Sequence, residues 1–81
     1  MKKEIEEQLH EQSIILEPQA CFNDAILRVE NHRIVYSYNL IVMSLMKFYT
    51  LSYMDALEWI EYNTIQSLVC MGEYAPIVEE E

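Results

Sequence analysis

The stretch from residue 25 to residue 37 constrains the fold more than any other part of this chain. Two apolar-rich segments, AILRVE and RIVYS, flank the dipeptide Asn31-His32. Asparagine readily adopts the left-handed backbone that a two-residue turn needs, and histidine tolerates it better than most residues. We therefore predict an antiparallel β-hairpin with three cross-strand pairs: Glu30 with Arg33, Val29 with Ile34, and Leu27 with Tyr36.

This register sorts the side chains of the hairpin onto two faces. One face is apolar and is predicted to pack on the core: Ala25, Leu27, Val29, Ile34 and Tyr36. The other face mixes charged, polar and apolar groups: Ile26, Arg28, Glu30, Arg33, Val35 and Ser37. Because a slip of one residue would send the apolar set to the opposite face, the register is strongly specified.

The sequence before the hairpin predicts a helix and a connector. Residues 2–12 form an acidic amphipathic segment with Ile5 and Leu9 on one stripe, which favours a short helix. The next stretch, IILEPQACFND, is typical of a connector. Pro18 pushes the residue before it toward extended geometry, and the Asn-Asp pair at its end favours a turn.

Two consecutive helices are predicted after the hairpin. Residues 39–49 are almost entirely apolar, so we expect a deeply buried helix with Asn39 as its N-cap. A second helix should begin at Ser52, which forms a capping-box pattern with Asp55, and should end near Gly72. Its predicted core-facing stripe is Leu57, Ile60, Thr64, Ile65 and Leu68.

The predicted fold is a single small α+β domain over residues 1–81. Pro76 opens a short C-terminal edge strand, PIVEE, because a proline suits the first residue of such a strand. The order is therefore a short helix, a β-hairpin, two consecutive helices and a strand (αββααβ), with the helices on one face of an antiparallel sheet. A chain of 81 residues leaves no room for a second domain.

Charge is the strongest compositional signal for function. The net charge is −9, so nucleic acids and anionic membranes would repel the chain, and a basic protein partner is favoured. The C-terminal half is the more negative, since Lys47 is its only basic residue from residue 37 onward. The acidic residues of that half are Asp55, Glu58, Glu61, Glu73, Glu79, Glu80 and Glu81.

Motifs for catalysis and for cofactors are weak. A single glycine excludes a glycine-rich phosphate loop. The spacing of the two histidines, Cys21 and Cys70 matches no zinc motif, and we expect two free thiols, no metal and no cofactor. Glu58 and Glu61 could suggest a glycosidase pair, but a solvated helix face explains them better, so we expect a non-enzyme. No apolar leader or span is present, which favours a cytoplasmic protein.

One flank of the second predicted helix has the composition of a protein interface. Asp55, Glu58, Trp59, Tyr62 and Gln66 recur at spacings of three and four and therefore share a stripe. Trp59 is then either a partly buried lid over the sheet or an exposed anchor. In the second case the aromatic side chains would anchor a partner, and the carboxylates would select a basic one.

The segment "SYMDALEWIEYNTIQSLVCMGEYAPIV" carries a distinctive motif pattern. It is similar to the pattern EAxEWIxYNTI followed by MGExAPI, which is found in a family of small proteins, with no assigned chemistry, from gut bacteria and their phages. Upstream, "FNDAILRVENHRIVYSYNLIVMSLM" is similar to its hairpin and YSYxxM motif, so the resemblance runs from about Phe22 to Val78. After YNTI the chain departs from the family, with Gln66 and Val69-Cys70 in place of a basic residue and a proline.

The resemblance implies an acidic phage inhibitor of a bacterial defence system, acting in the host cytoplasm. The best match by size and charge is an anti-CRISPR protein that occupies the basic DNA-binding surface of an RNA-guided nuclease. The expected partner contacts are Asp55, Glu58, Trp59, Glu61, Tyr62, Glu73, Glu79, Glu80 and Glu81. Two alternatives remain open: a homo-oligomeric adaptor, with a homodimer formed through the edge strand or the Trp59 stripe, and an antitoxin-like neutraliser of a basic protein.

Overall fold

A computed structural model describes residues 2–80 of the chain. Within that range the helices are α1 (Lys3–Glu6), α2 (Gln19–Phe22), α3 (Tyr38–Phe48) and α4 (Tyr53–Ile60). The strands are β1 (Ile26–Glu30), β2 (Arg33–Ser37) and β3 (Ile77–Glu79). The α+β class is confirmed, and so is the order of hairpin, two consecutive helices and C-terminal strand.

The hairpin forms around the predicted two-residue turn. Asn31 and His32 both have left-handed backbones, with φ of 50° and 66°. The pairs of Glu30 with Arg33 and of Val29 with Ile34 are confirmed. The predicted pair of Leu27 with Tyr36 is wrong, because a bulge makes Ile26 the partner of Tyr36. Leu27 consequently leaves the core face and is 38% exposed.

The sheet is mixed rather than antiparallel. Its strand order is β1-β2-β3, and β3 pairs parallel to β2, with Val35 opposite Ile77 and Tyr36 opposite Val78. The expectation of an antiparallel sheet is therefore wrong. The reason lies in the connection: α3 and α4 carry the chain back along the sheet before β3 begins, and such a crossover joins parallel strands.

The core lies between the sheet and the two long helices. Its fully buried side chains include Phe22, Ile34, Tyr36, Ile41, Leu45, Ala56 and Ile60. Tyr36 also accepts a hydrogen bond from the backbone N–H of Leu16 at 3.1 Å, which ties the N-terminal segment to the central strand. Val35, on the opposite face of β2, is also fully buried, so the central strand is covered on both sides.

Helix α3 differs from its prediction at its start and in its burial. Ser37, not Asn39, is the N-cap, and its hydroxyl accepts a hydrogen bond from the Leu40 N–H. The helix is buried along one face only, since Met43 is 63% exposed and Phe48 is 47% exposed. The expectation of deep burial is wrong because the molecule has one sheet and one core, so a helix packed on it keeps an outer face in solvent.

The N-terminal quarter of the chain differs from its prediction in two places. The predicted first helix is shorter than expected, and the predicted connector contains a helix. Helix α1 ends at Glu6 rather than near residue 12. A short helix with carboxylates at its negative end is unfavourable, which explains the early stop. The predicted connector instead forms α2 and a 3-10 turn at Asn23–Ala25. Pro18 stands at the N-cap of α2, a position that needs no helical N–H of its own.

Helix α4 begins as predicted and ends early. The Ser52 hydroxyl accepts a hydrogen bond from the Asp55 N–H at 3.2 Å, which confirms the cap. The α-helix stops at Ile60 and continues as a π-helical segment, Glu61–Ile65. Gly72, with φ of 85°, lies beyond a later 3-10 turn rather than at the end of this helix.

No single helix in residues 2–80 is long and apolar enough to cross a membrane. The helical stretches Tyr38–Phe48 and Tyr53–Ile65 meet the length and composition of a span only when taken together, and they are bent by 119° at their break.

Candidate functional site: an acidic and aromatic groove on α4

A shallow groove of about 340 Å³ runs along one side of α4. We call it the α4 groove, and it is lined by Leu51, Asp55, Glu58, Trp59, Tyr62 and Asn63. Four of the predicted contact residues thus lie together in one place. They do so because positions 55, 58, 59 and 62 follow the three-and-four spacing of a helix face.

Trp59 is half-buried and forms a fixed wall of the groove. Its ring lies 5.9 Å from that of Tyr49, nearly parallel to it at an interplanar angle of 28°. A second contact, with the buried ring of Phe22 at 5.9 Å, anchors it to the core. The two readings of Trp59 from sequence therefore combine, since the ring packs on the interior and also faces the groove.

Apart from the half-buried Leu51, the other walls of the groove are polar or exposed. Tyr62 is 70% exposed, and the carboxylates of Asp55 and Glu58 belong to exposed residues. Over residues 2–80 the only ion pairs are those that Arg28 makes with two glutamates of the sheet, so no cation within these residues pairs with a carboxylate of the groove. The groove therefore presents two uncompensated negative charges beside two aromatic rings.

Irregular backbone flanks the groove on both sides. Thr50, in the link between α3 and α4, has φ of 57°, a conformation that is strained for a β-branched residue. At the other end, the π-helical segment carries Tyr62 and Asn63. The Asn63 amide donates a hydrogen bond to the Trp59 carbonyl at 3.2 Å. Strained residues and π-helical insertions concentrate at functional sites.

Two of the predicted contact residues, Glu61 and Glu80, lie near Tyr38 instead of in the groove. The Tyr38 hydroxyl donates a hydrogen bond to the Glu61 carboxylate at 3.1 Å. The pKa of Tyr38 is raised by burial, then by this hydrogen bond, and then by the negative charges of Glu61 and Glu80. Glu61 is therefore already engaged within the chain, unlike the carboxylates of the groove.

Glu79 is engaged on the sheet. Its carboxylate lies 2.5 Å from the Arg28 guanidinium, which also contacts Glu30 at 3.0 Å. Arg28 is opposite Val35, and Val35 is opposite Ile77, so this ion pair joins the two edge strands across the middle one. The side chain of Val35 lies on the same face and is fully buried, which is consistent with this ion pair lying over it.

The last two predicted contact residues are Glu73 and Glu81. Glu73 is exposed in the turn that follows Gly72. Glu81 lies outside the described residues. The nine predicted residues therefore fall into several groups rather than one charged surface, and the α4 groove is the largest of these groups.

Sequence reasoning missed Leu51, Asn63 and the supporting ring of Tyr49. Asn63 could have been predicted from the sequence, because it lies four residues after Trp59 on the same helix face. Leu51 joins the groove, and Tyr49 supports its Trp59 wall, only through the sharp turn at Thr50, and no spacing rule reports such a turn. Their contribution comes from the tertiary fold.

Over residues 2–80 no group of three or more His, Cys, Asp or Glu side chains lies close enough together to hold a metal ion. Cys21 is buried, and burial raises the pKa of its thiol, while Cys70 is exposed. His10 stacks on Tyr74, with ring centroids 4.5 Å apart, and lies 5.8 Å from His32. These rings hold the N-terminal segment against the tip of the hairpin.

Comparisons with known proteins find no match, whether to family models, to curated proteins or to solved structures. The resemblance drawn from the YSYxxM, EWIxYNTI and MGExAPI motifs therefore stays a prediction.

Proposed function

We propose that this protein is a non-catalytic binding protein whose α4 groove engages a basic surface of another protein. One observation carries the proposal: two carboxylates without cationic partners in residues 2–80 lie beside a fixed Trp59 and an exposed Tyr62. Aromatic anchors bordered by charge are typical of interfaces. The net charge of −9 adds long-range attraction to a basic partner and so speeds association.

The narrower proposal is a phage-encoded inhibitor of a bacterial defence system, most simply an anti-CRISPR protein, acting in the cytoplasm of the host. It is supported by the size, the acidity and the motif resemblance of the chain. In such a complex the groove would contact arginine and lysine side chains that otherwise hold DNA phosphates. Glu61, Glu73 and Glu80 would add to the negative field that attracts such a surface.

Affinity capture with three baits tests the broader proposal. The baits are the wild type, the groove variant Asp55→Asn/Glu58→Gln, and the matched control Glu4→Gln/Glu7→Gln, which removes the same charge from exposed positions near the N-terminus. We expect a basic protein to bind the wild type and the control but not the groove variant. Equal capture by all three baits, or recovery only of the chain itself, would contradict the proposal.

DNA cleavage by purified RNA-guided nucleases tests the narrower proposal. We expect the wild type to inhibit at a stoichiometric ratio and the groove variant to inhibit much more weakly. If every RNA-guided nuclease tested cleaves DNA at its normal rate in the presence of the protein, the anti-CRISPR proposal is wrong. Capture of a basic protein of another kind would then favour the antitoxin-like alternative.

A further inference from the structure

We infer that the α4 groove is a receptor for a single arginine side chain presented by the partner protein. This inference rests on the proposed function and adds the chemistry of the bound group. A volume of about 340 Å³ is at the lower end of the range of ligand sites, which is roughly 300–1,000 Å³ and suits one side chain better than a whole cofactor.

The lining residues fit a guanidinium group better than an ammonium group. A guanidinium is planar, stacks on aromatic rings and offers parallel N–H donors to carboxylates. The groove supplies both kinds of partner, with the rings of Trp59 and Tyr62 and the carboxylates of Asp55 and Glu58. A lysine ammonium is compact and strongly hydrated, so it would use the charges and gain less from the rings.

The rigidity of the Trp59 wall favours binding. The rings of Tyr49 and Phe22 each lie 5.9 Å from that of Trp59, so the indole need not be ordered when the ligand arrives. A side chain that is fixed beforehand loses little conformational entropy on binding. Tyr62, which is largely exposed, is the part of the groove that is free to adjust.

The arginine has to come from a different protein rather than from a second copy of this one. The chain has two arginines. Arg28 is paired with Glu30 and Glu79, and Arg33 donates to the Ala75 carbonyl at 2.7 Å. Neither is available without breaking contacts that hold the sheet together, and two chains of charge −9 repel each other.

Titration with three matched peptides tests the inference, with fluorescence of the single tryptophan as the signal. Each peptide is N-acetylated and C-amidated and alternates glycine with four copies of arginine, lysine or citrulline, the last being an uncharged analogue of arginine. We expect the arginine peptide to bind at least about fivefold more tightly than the lysine peptide, and the citrulline peptide not to bind.

Variants locate the binding without disturbing the core. Asp55→Asn/Glu58→Gln and Tyr62→Ala should each weaken the arginine peptide, whereas the controls Glu4→Gln/Glu7→Gln and Tyr53→Ala should not. Tyr53 is a good control because it is exposed, lies on the same helix and is outside the groove. Trp59 is left intact because it also packs on Phe22.

Two results would overturn the inference. Equal affinity for the arginine and lysine peptides would show that the groove reads charge alone. Equal loss in the groove variants and in their controls would show a diffuse attraction rather than a site. Either result leaves the proposed function standing if the wild type, but not the groove variant, still captures a basic protein.

Discussion

Trp59 and Tyr36 show how much of this small domain depends on single side chains with two contacts each. Trp59 packs against Phe22 and also lines the α4 groove. Tyr36 fills the core and accepts the backbone N–H of Leu16 through its hydroxyl. A change at either residue therefore alters stability as well as the neighbouring contact, and variants that probe binding have to avoid them.

Tyr36 should make stability fall at alkaline pH. Burial raises the pKa of its hydroxyl above the value of about 10 in an unfolded chain. The neutral form is favoured in the fold, so its stabilising effect is complete below pH 10 and is lost as the pH rises from there toward the folded pKa. Urea denaturation of the wild type and of Tyr36→Phe, at pH 8 and pH 11, measures this loss.

At pH 8 the Tyr36→Phe variant should be less stable by about 1 kcal/mol, because the Leu16 N–H loses its acceptor. At pH 11 the wild type should lose up to about 1.4 kcal/mol relative to the variant, because only the wild type has this group to ionise, so the difference should shrink and, at the full loss, reverse its sign. A difference that stays constant between the two pH values would show that the hydroxyl titrates alike in both states.

At the level of elements, the hairpin and both long helices follow from local patterns. The Asn31-His32 turn and the Ser52 cap are short-range features that one stretch of chain specifies by itself. The bulge that expels Leu27, the parallel pairing of β3 and the π-helical end of α4 depend on contacts between distant segments. Four of the six residues that line the groove could be predicted for the same reason, because they follow the local spacing of one helix face, whereas its Leu51 side could not.

The link between α3 and α4 stores strain at Thr50. Its φ of 57° costs a β-branched residue roughly 1–2 kcal/mol, and glycine avoids that cost because it has no Cβ. Thr50→Gly should therefore raise the free energy of unfolding by about 1 kcal/mol. Thermal unfolding measures the change, with Thr50→Ala as the control that keeps a Cβ and should change little. A lower stability for the glycine variant than for the alanine variant would contradict this account.

At the scale of the whole molecule, a net charge of −9 on 81 residues opposes compaction. Salt screens this self-repulsion, as the Debye length falls from about 30 Å at 0.01 M to about 10 Å at 0.1 M. Raising NaCl from 10 to 300 mM should increase the free energy of unfolding by on the order of 1 kcal/mol. This corresponds to a rise of a few degrees in the melting temperature. Glu4→Gln/Glu7→Gln, with two fewer charges, should gain less. A melting temperature that falls with salt would mean that ion pairs such as Arg28–Glu79 dominate instead.

The most direct test of the central claim is to map where a cationic ligand contacts the protein. Two-dimensional NMR of the ¹⁵N-labelled chain, titrated with the arginine–glycine peptide, reports every backbone amide and the Trp59 indole N–H. We expect the largest shifts between Tyr49 and Gln66 and at that indole, with residues 2–12 and β3 little changed. Largest shifts at the acidic N-terminal segment or along Ile77–Glu79, with the indole unmoved, would contradict the assignment of the α4 groove as the binding surface.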